Sequence, residues 1–476
     1  MKVKNSKYIE SLKPELKELL AAILKKYPYA SILATDSFSK AYGVNKKSTS
    51  VREDGLLCNR GFVLRVFDGK YMAEYSTNHF DRQEIPGVVE VIDEEFKAKE
   101  GNDQSATGYM EYKIPDDEEM KFSESTEYEV HPMDMGDEKL LEQLTKLKDL
   151  GLACSPDILN CDARFNYQQY SKLFLSPNRE MEQNVMWSNG ALMFTAKKGD
   201  VVRSCYKGFS ISGGAELLSG MEAAIEKTGK TTLELLDSEP MVPGEYDCIC
   251  DPEVTGMIVH EAFGHGVEMD MFVKDRAQAR EYIGKPVASP MVTMHDGAKG
   301  ILETATFFFD DEGTLAHDTV IIKDGILQTG ICDALSAAQL GIEPTGNGRR
   351  QSFERKAYTR MTNTYFKKGQ DKLEDMIASI SYGFMLENAT SGMEDPKNWG
   401  IQCMVDIARE IKDGKFTGKI FSPCVLSGYV PDLLKSISMV SDDEILCGTG
   451  FCGKGYKEFV KVSDGGPYIK ARIRLG

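Results

Sequence analysis

Apolar residues recur at helical spacing near the start of the chain. Leu16, Leu19, Leu20, Ile23 and Leu24 share one face, Ser11 and Pro14 give a start signal and Pro28 a stop, which predicts an amphipathic helix. The pattern then changes to short extended runs over 30–34, 48–52, 61–68 and 70–75, divided by the turn signals Asp54-Gly55 and Asp68-Gly69. These predict an antiparallel meander. Acidic residues dominate from about 88 to 135, the run 116–119 included, and this stretch reads as a solvated insertion.

A second helix is predicted over 137–150, with Leu140, Leu141, Leu144 and Leu147 on one stripe and Gly151 as its C-terminal cap. Asn189-Gly190 predicts a hairpin inside 185–196, and Gly199-Asp200 marks the next turn. Helices over 214–228 and 231–236 lead to Pro240 and Pro243, the candidate boundary. The expected organisation is an N-terminal α/β domain over 1–239, helix plus antiparallel meander, and a C-terminal domain over 240–476. The latter carries a hairpin at Asp324-Gly325, a helix near 333–340 and a Gly-rich end. The fold class is α+β, with an N-terminal antiparallel sheet and helices and a C-terminal mixed or antiparallel β-rich domain holding the site helix.

Composition narrows the function. The 476 residues suffice for two or three domains, and 41% hydrophobic with 28% charged is ordinary globular usage. The 57 Lys and Arg against 74 Asp and Glu leave −17, a field that repels phosphate backbones and anionic lipid, so neither nucleic acid nor a membrane is an expected partner. No apolar run approaches the 18 or so residues of a membrane span. Eleven cysteines, sparse and odd in number, with no secretory signal beside them, point to a reducing cytoplasm. Cys248 and Cys250 alternate along an expected strand and read as core.

The chemistry concentrates between Asp251 and His265. Asp251 is a plausible N-cap, Pro252 a first helical residue, and Val254, Met257 and Ile258 an apolar face, so His260, Glu261 and His265 fall on a buried helix. Two of only six histidines with a carboxylate directly after the first resemble a zinc-hydrolase helix in composition but not in spacing. In a regular α-helix residues five apart diverge by about 140°, against about 40° for residues four apart. Two imidazoles so splayed cannot reach one ion at about 2.0 to 2.1 Å. Joint ligation therefore requires an irregular turn near 263–265, either a π-bulge or an unwinding at Gly264. A third ligand has to come from elsewhere. His79, His131, His295 and His317 have no ligand pattern beside them, whereas the glycine-rich segment 447–455 offers both Cys447 and Cys452, between which the residues alone do not choose. The GxGxxG of Gly448, Gly450 and Gly453 lacks the following unit that dinucleotide binding needs.

The run HEAFGHGVEMD, with TGNGRR (345–350), RMTNTY (360–365), FDDEGT (309–314) and CGKG (452–455), resembles the TldD/PmbA family of zinc metallopeptidases, and its HExxxH resembles the TldD branch. The resemblance is strong in the C-terminal half and looser before it. It implies His260, His265 and Cys452 as Zn²⁺ ligands and Glu261 as the general base of peptide hydrolysis. It also implies peptide or unfolded polypeptide substrates, held by backbone hydrogen bonds in an enclosed site, and a dimer of identical chains or with a TldE/PmbA-like subunit. After CGK the family has Gly-Gln, where Tyr456 to Phe459 stand here; Cys452 is retained. Arg349, Arg350, Asn363 and Tyr365 are candidates to steady the oxyanion. Two other functions fit the same residues: a non-catalytic peptide-binding subunit with a structural metal, against which Glu261 speaks, and a metal-dependent amidohydrolase acting on small molecules.

Overall fold

The computed structural model describes residues 1–55, 57–100, 117–454 and 458–476. Of the residues named above, Asp116, Gly455, Tyr456 and Lys457 lie outside the described residues.

The first helix is Lys7–Ile23, capped by Ser6, whose hydroxyl accepts from the Ile9 amide; it starts a turn before Ser11 and contains Pro14. Its buried face, with Leu16, Leu19 and Ile23, packs on Ile32, Leu64 and Val66 of the sheet. That sheet comprises β1 (Tyr29–Val44), β2 (Thr49–Glu53), β3 (Arg60–Phe67), β4 (Met72–Thr77), β5 (Met120–Ser125), β6 (Ile158–Leu175), β7 (Arg179–Lys198) and β8 (Val201–Ile211). Its main path is β4-β3-β1-β6-β7-β5, with β2 on β1 and β8 on β7. All pairs are antiparallel except β5 with β7.

Several sequence expectations give way here, mostly at glycines that serve packing rather than turns. Strand β7 runs straight through Asn189-Gly190, because Met221 of the Leu217–Glu234 helix sits on Gly190 where a Cβ would be. The hairpin is at Gly199-Asp200 alone, between Lys198 and Val201. Likewise the Asp137–Ala153 helix continues past Gly151, whose missing side chain leaves room for Cys161; a Cβ there would lie 2.5 Å from Cys161 Sγ. The two helices expected over 214–236 are one, Leu217–Glu234, ending in a short 3₁₀ turn. The acidic stretch is not wholly solvated. Its start belongs to the helix Ile85–Glu100, which buries Val88, Ile92 and Phe96 in the same core as the first helix, and β5 adds a strand further on.

Beyond Pro243 two sheets frame the site. In one, Tyr382–Asp395 pairs in parallel with Gly244–Cys250 and antiparallel with Gly400–Lys412; Ile469–Leu475 and Cys424–Tyr429 complete the circuit, so five strands close into a small barrel. The other runs from Ile326–Leu327 through Thr319–Lys323, Met294–Asp296, Asn363–Phe366 and Ser463–Gly466 to Ile445–Cys447. Cys248 and Cys250 are buried in the core, as their alternation predicted. The Asp324-Gly325 turn, with φ of 49° and 80°, and the helix Ala334–Leu340, capped by Asp333, also stand where expected. The architecture is α+β. Ile258, Val259 and Phe263 share one core with Leu386, Cys403, Val405 and Leu426 of the barrel, which fixes the site helix against it.

Candidate metal centre

The helix that carries the site starts as its sequence dictates. Asp251 caps it, accepting from the Val254 amide at 2.8 Å, and Pro252 is its first residue. After Met257 the α-helix loosens into a π-helix over Ile258–Gly264, followed by a 3₁₀ turn at His265–Val267. The His265 amide bonds the His260 carbonyl, an i→i+5 bond that stacks the two residues one turn apart. Their rings stand 5.1 Å apart, centroid to centroid, and nearly perpendicular. Gly264 is required for this packing, since a Cβ there would collide with Met361 Sδ. Of the two routes that the spacing allowed, the chain takes the π-helix.

Cys452 reaches the same point from the hairpin Phe451–Lys454/Glu458–Lys461. Its Sγ lies 3.5 Å from His265 Nε2, and one ligand atom from each of His260, His265 and Cys452 falls within 4.8 Å of the others. Tetrahedral zinc with Zn–S of about 2.3 Å and Zn–N of about 2.05 Å has an S···N edge of about 3.6 Å, so the observed separation fits. His260 Nδ1 is buried without a hydrogen-bond partner, 3.9 Å from Asp464. Cys447 stands apart, its Sγ 3.5 Å from Thr449 Oγ1, and burial pushes its thiol up to about 11.

Around the three side chains a charged shell supplies orientation. His265 Nδ1 is 3.2 Å from Glu268 Oε2, which also accepts from Lys454 Nζ at 3.1 Å. Lys454 donates in addition to Asp270 at 2.7 Å, and Arg360 donates to the Cys452 carbonyl at 2.6 Å. Burial would raise the Glu268 carboxyl, but Lys454, then His265 and Arg360, hold it down at about 2. Burial alone would also raise the Cys452 thiol; the two imidazoles outweigh it and bring it well below its usual range. The same pairing, overcoming desolvation, holds His260 and His265 above the ordinary imidazole value. The cluster thus pairs a thiol inclined to ionise with two imidazoles, a donor set suited to a cation.

Glu261 follows His260 on the π-helix and is half-buried against Gly392 of Tyr382–Asp395. Beside it Glu394 has both carboxylate oxygens buried without a hydrogen bond; burial keeps it well above the usual carboxylate range, and the charges of Glu261 and Glu268 add to this. Asp464, half-buried, is raised to about 6 by desolvation. Glu268, Glu394, Asp464, Arg360 and Lys454 were not singled out from sequence as parts of the site. Glu268, three residues past His265, Arg360 of RMTNTY and Lys454 of CGKG fell inside the quoted motifs, whereas Glu394 and Asp464 arrive from separate strands.

The remaining candidates are elsewhere. His79 is beside Glu84, His131 caps a short helix, His295 pairs with Asp318, and exposed His317 belongs to no such group among the described residues. Arg349 donates to the Met361 carbonyl at 2.6 Å, Arg350 pairs with Glu74, Asn363 donates to the Ile301 carbonyl, and Tyr365 faces Asp318. The motif residues around them tie loops together. Asp296 accepts from Asn347, Thr362 and Thr364, while Asp310 accepts from the amides of Glu312, Thr314 and Gly348.

Residues 243–473, the segment that contains every side chain of this cluster, match the PmbA/TldA metallopeptidase C-terminal domain. That segment, residues 243–473, belongs to the TldD/PmbA family. A Methanothermobacter thermautotrophicus protein named metalloprotease is 32% identical over 279 residues, 58% of this chain and 60% of its own length. The chain therefore spans less than two thirds of that relative. A Saccharolobus solfataricus zinc metalloprotease TldD homolog is 28% identical over 318 residues, 66% of this chain and 70% of its own. The crystal structure of TldE from Thermococcus kodakarensis superposes with a TM-score of 0.74 at 17% identity, covering 96% of this chain and 99% of that one. This last likeness is one of fold. Among the described residues no helix is long and apolar enough to cross a membrane.

Proposed function

We propose that the protein is a zinc-dependent metallopeptidase of the TldD type that hydrolyses peptides or unfolded polypeptides. The observation that carries this reading is the convergence of His260, His265 and Cys452 on one point, with Glu261 adjoining the first of them. Two nitrogens and a thiolate suit zinc, and the relatives named as metalloproteases support the reaction class. Bound Zn²⁺ would supply Lewis acidity, which polarises a peptide carbonyl and makes water a stronger acid.

The chain's own residues do the rest. Glu268 fixes His265 with its Nδ1 proton inward, which leaves the Nε2 lone pair free for the metal. Lys454 neutralises Glu268, so the orienting carboxylate stays charged inside the protein. Glu261 takes the proton of the attacking water and returns it to the departing amine. The working unit is a dimer, of two copies or with a TldE/PmbA-like subunit, in a reducing cytoplasm, and residues 240–476 act as the metallopeptidase domain.

Substituting Glu261→Gln tests the reading. The variant should keep wild-type zinc content and lose peptide hydrolysis by roughly 10² to 10⁴-fold. Wild-type turnover in that variant would overturn the mechanism, and cleavage of small amides but of no peptide would favour the amidohydrolase instead.

A further inference from the structure

Phe451 and its register partner Lys461 point to the face of the Cys452 hairpin opposite Cys452 itself, and both line a cavity of about 330 Å³. The volume lies within the range of small-molecule pockets. Trp187 of β7, Phe307, Phe309 and Phe353 supply further aromatic wall. The cavity is linked to the site helix through Arg349 and Met361: Arg349, in its lining, donates to the carbonyl of Met361, and Met361 packs on Gly264 of the π-helix.

The charged groups of this lining, which include Asp54, are unequally matched. Lys172 is paired with Asp311, Arg350 with Glu74, and Asp310 is saturated by three backbone amides. Two basic side chains remain without an ion pair among the described residues. Arg349 spends one N–H on the Met361 carbonyl and lies over the Phe307 ring at 5.4 Å; among the described residues no acid is in ion-pair reach. Lys461 Nζ is buried with no hydrogen-bond partner, 4.5 Å from the ring centroids of both Trp187 and Phe451; burial lowers its amine to about 7 against the pull of Glu303, and a bound carboxylate would favour its charged form. An unpaired buried cation is costly, and an arginine fork with free N–H groups is shaped for a carboxylate.

We infer that this cavity binds the carboxy-terminal residue of a peptide, its carboxylate on Arg349 within the field of Lys461 and its aromatic or large apolar side chain against Trp187, Phe307 and Phe353. An aspartate or glutamate side chain would satisfy the cation but leave the rings unfilled; a carboxy-terminal aromatic residue carries both groups on one carbon. The assignment deepens the peptidase reading by naming the end of the chain that the protein grips. Binding at the cavity does not itself require the metal.

The test is calorimetric titration of the full chain with N-acetyl-phenylalanine and with its carboxamide, before and after metal chelation. The acid should bind at least about tenfold more tightly than the amide in both states, and Arg349→Gln and Lys461→Met should each narrow that ratio. Equal binding, or none, in the wild-type protein overturns the proposal whatever the variants do. Peptides ending in phenylalanine should compete with the acid, and the same peptides amidated, with an internal glutamate added, should not. Competition by the amidated glutamate peptides would overturn it, as would failure of every peptide to compete, which would mark a site for a free aromatic acid. Loss of zinc or of hydrolysis leaves these readouts unmoved, so the two readings fail separately.

Discussion

Gly392 and Glu261 are packed so closely that only hydrogen fits between them: a Cβ at Gly392 would collide with Glu261 Cγ and stand 2.8 Å from Met257 Sδ. The strand Tyr382–Asp395 thus acts as a backstop for the proposed base. Gly392→Ala should displace Glu261 and lower kcat by roughly tenfold or more, since a small misplacement of a reacting group is costly. Zinc content should be unchanged. Steady-state kinetics beside metal analysis check this, and an unaltered kcat would mean that the Glu261 position is not set by this contact.

Gly264 has the corresponding role for the ligands. Gly264→Ala must push Met361 away or shift the π-helix, an overpacking that should cost about 1 to 3 kcal/mol and weaken metal binding. Thermal unfolding and zinc titration would show both. Adding Met361→Ala should restore part of each, and no recovery in the double variant would place the strain elsewhere.

The fold was legible in sequence where a local signal and the tertiary packing asked for the same thing. Asp251 and Pro252 start the site helix, Asp324-Gly325 turns, and Asp333 caps, because in each case a backbone group needs that residue type. It was misread where glycine answers a neighbour on another element. Gly151 of a helix lies under Cys161 of β6, and Gly190 of β7 under Met221 of a helix, contacts that a local turn or cap signal does not encode. The site divides in the same way. The five-residue spacing of His260 and His265 forced an irregular helix, whereas the carboxylates Glu394 and Asp464 come from remote strands without a motif.

Asp251 gives a pH dependence with a definite sign. Burial first, then the like charge of Glu253, raise its carboxyl to about 7, against about 3.9 in an unfolded chain. The folded protein holds a proton that the unfolded chain gives up, so this group's contribution to stability is fully present below about pH 4 and is lost as the pH rises to about 7. Asp251→Asn keeps an oxygen to cap the Val254 amide and cannot ionise. The wild-type melting temperature should therefore fall relative to that of the variant between pH 5 and pH 8, by an amount equivalent to at most about 4 kcal/mol. Parallel curves would contradict the assignment.

The central claim is that two imidazoles and one thiolate, remote in sequence, hold a single metal ion. Zinc stoichiometry of the purified chain, wild type beside Cys452→Ser and Cys447→Ser, tests it most directly. One zinc per chain is predicted for the wild type and for Cys447→Ser, with Cys452→Ser largely depleted although folded. Stoichiometric zinc retained by Cys452→Ser, or lost from Cys447→Ser, would contradict the site described here.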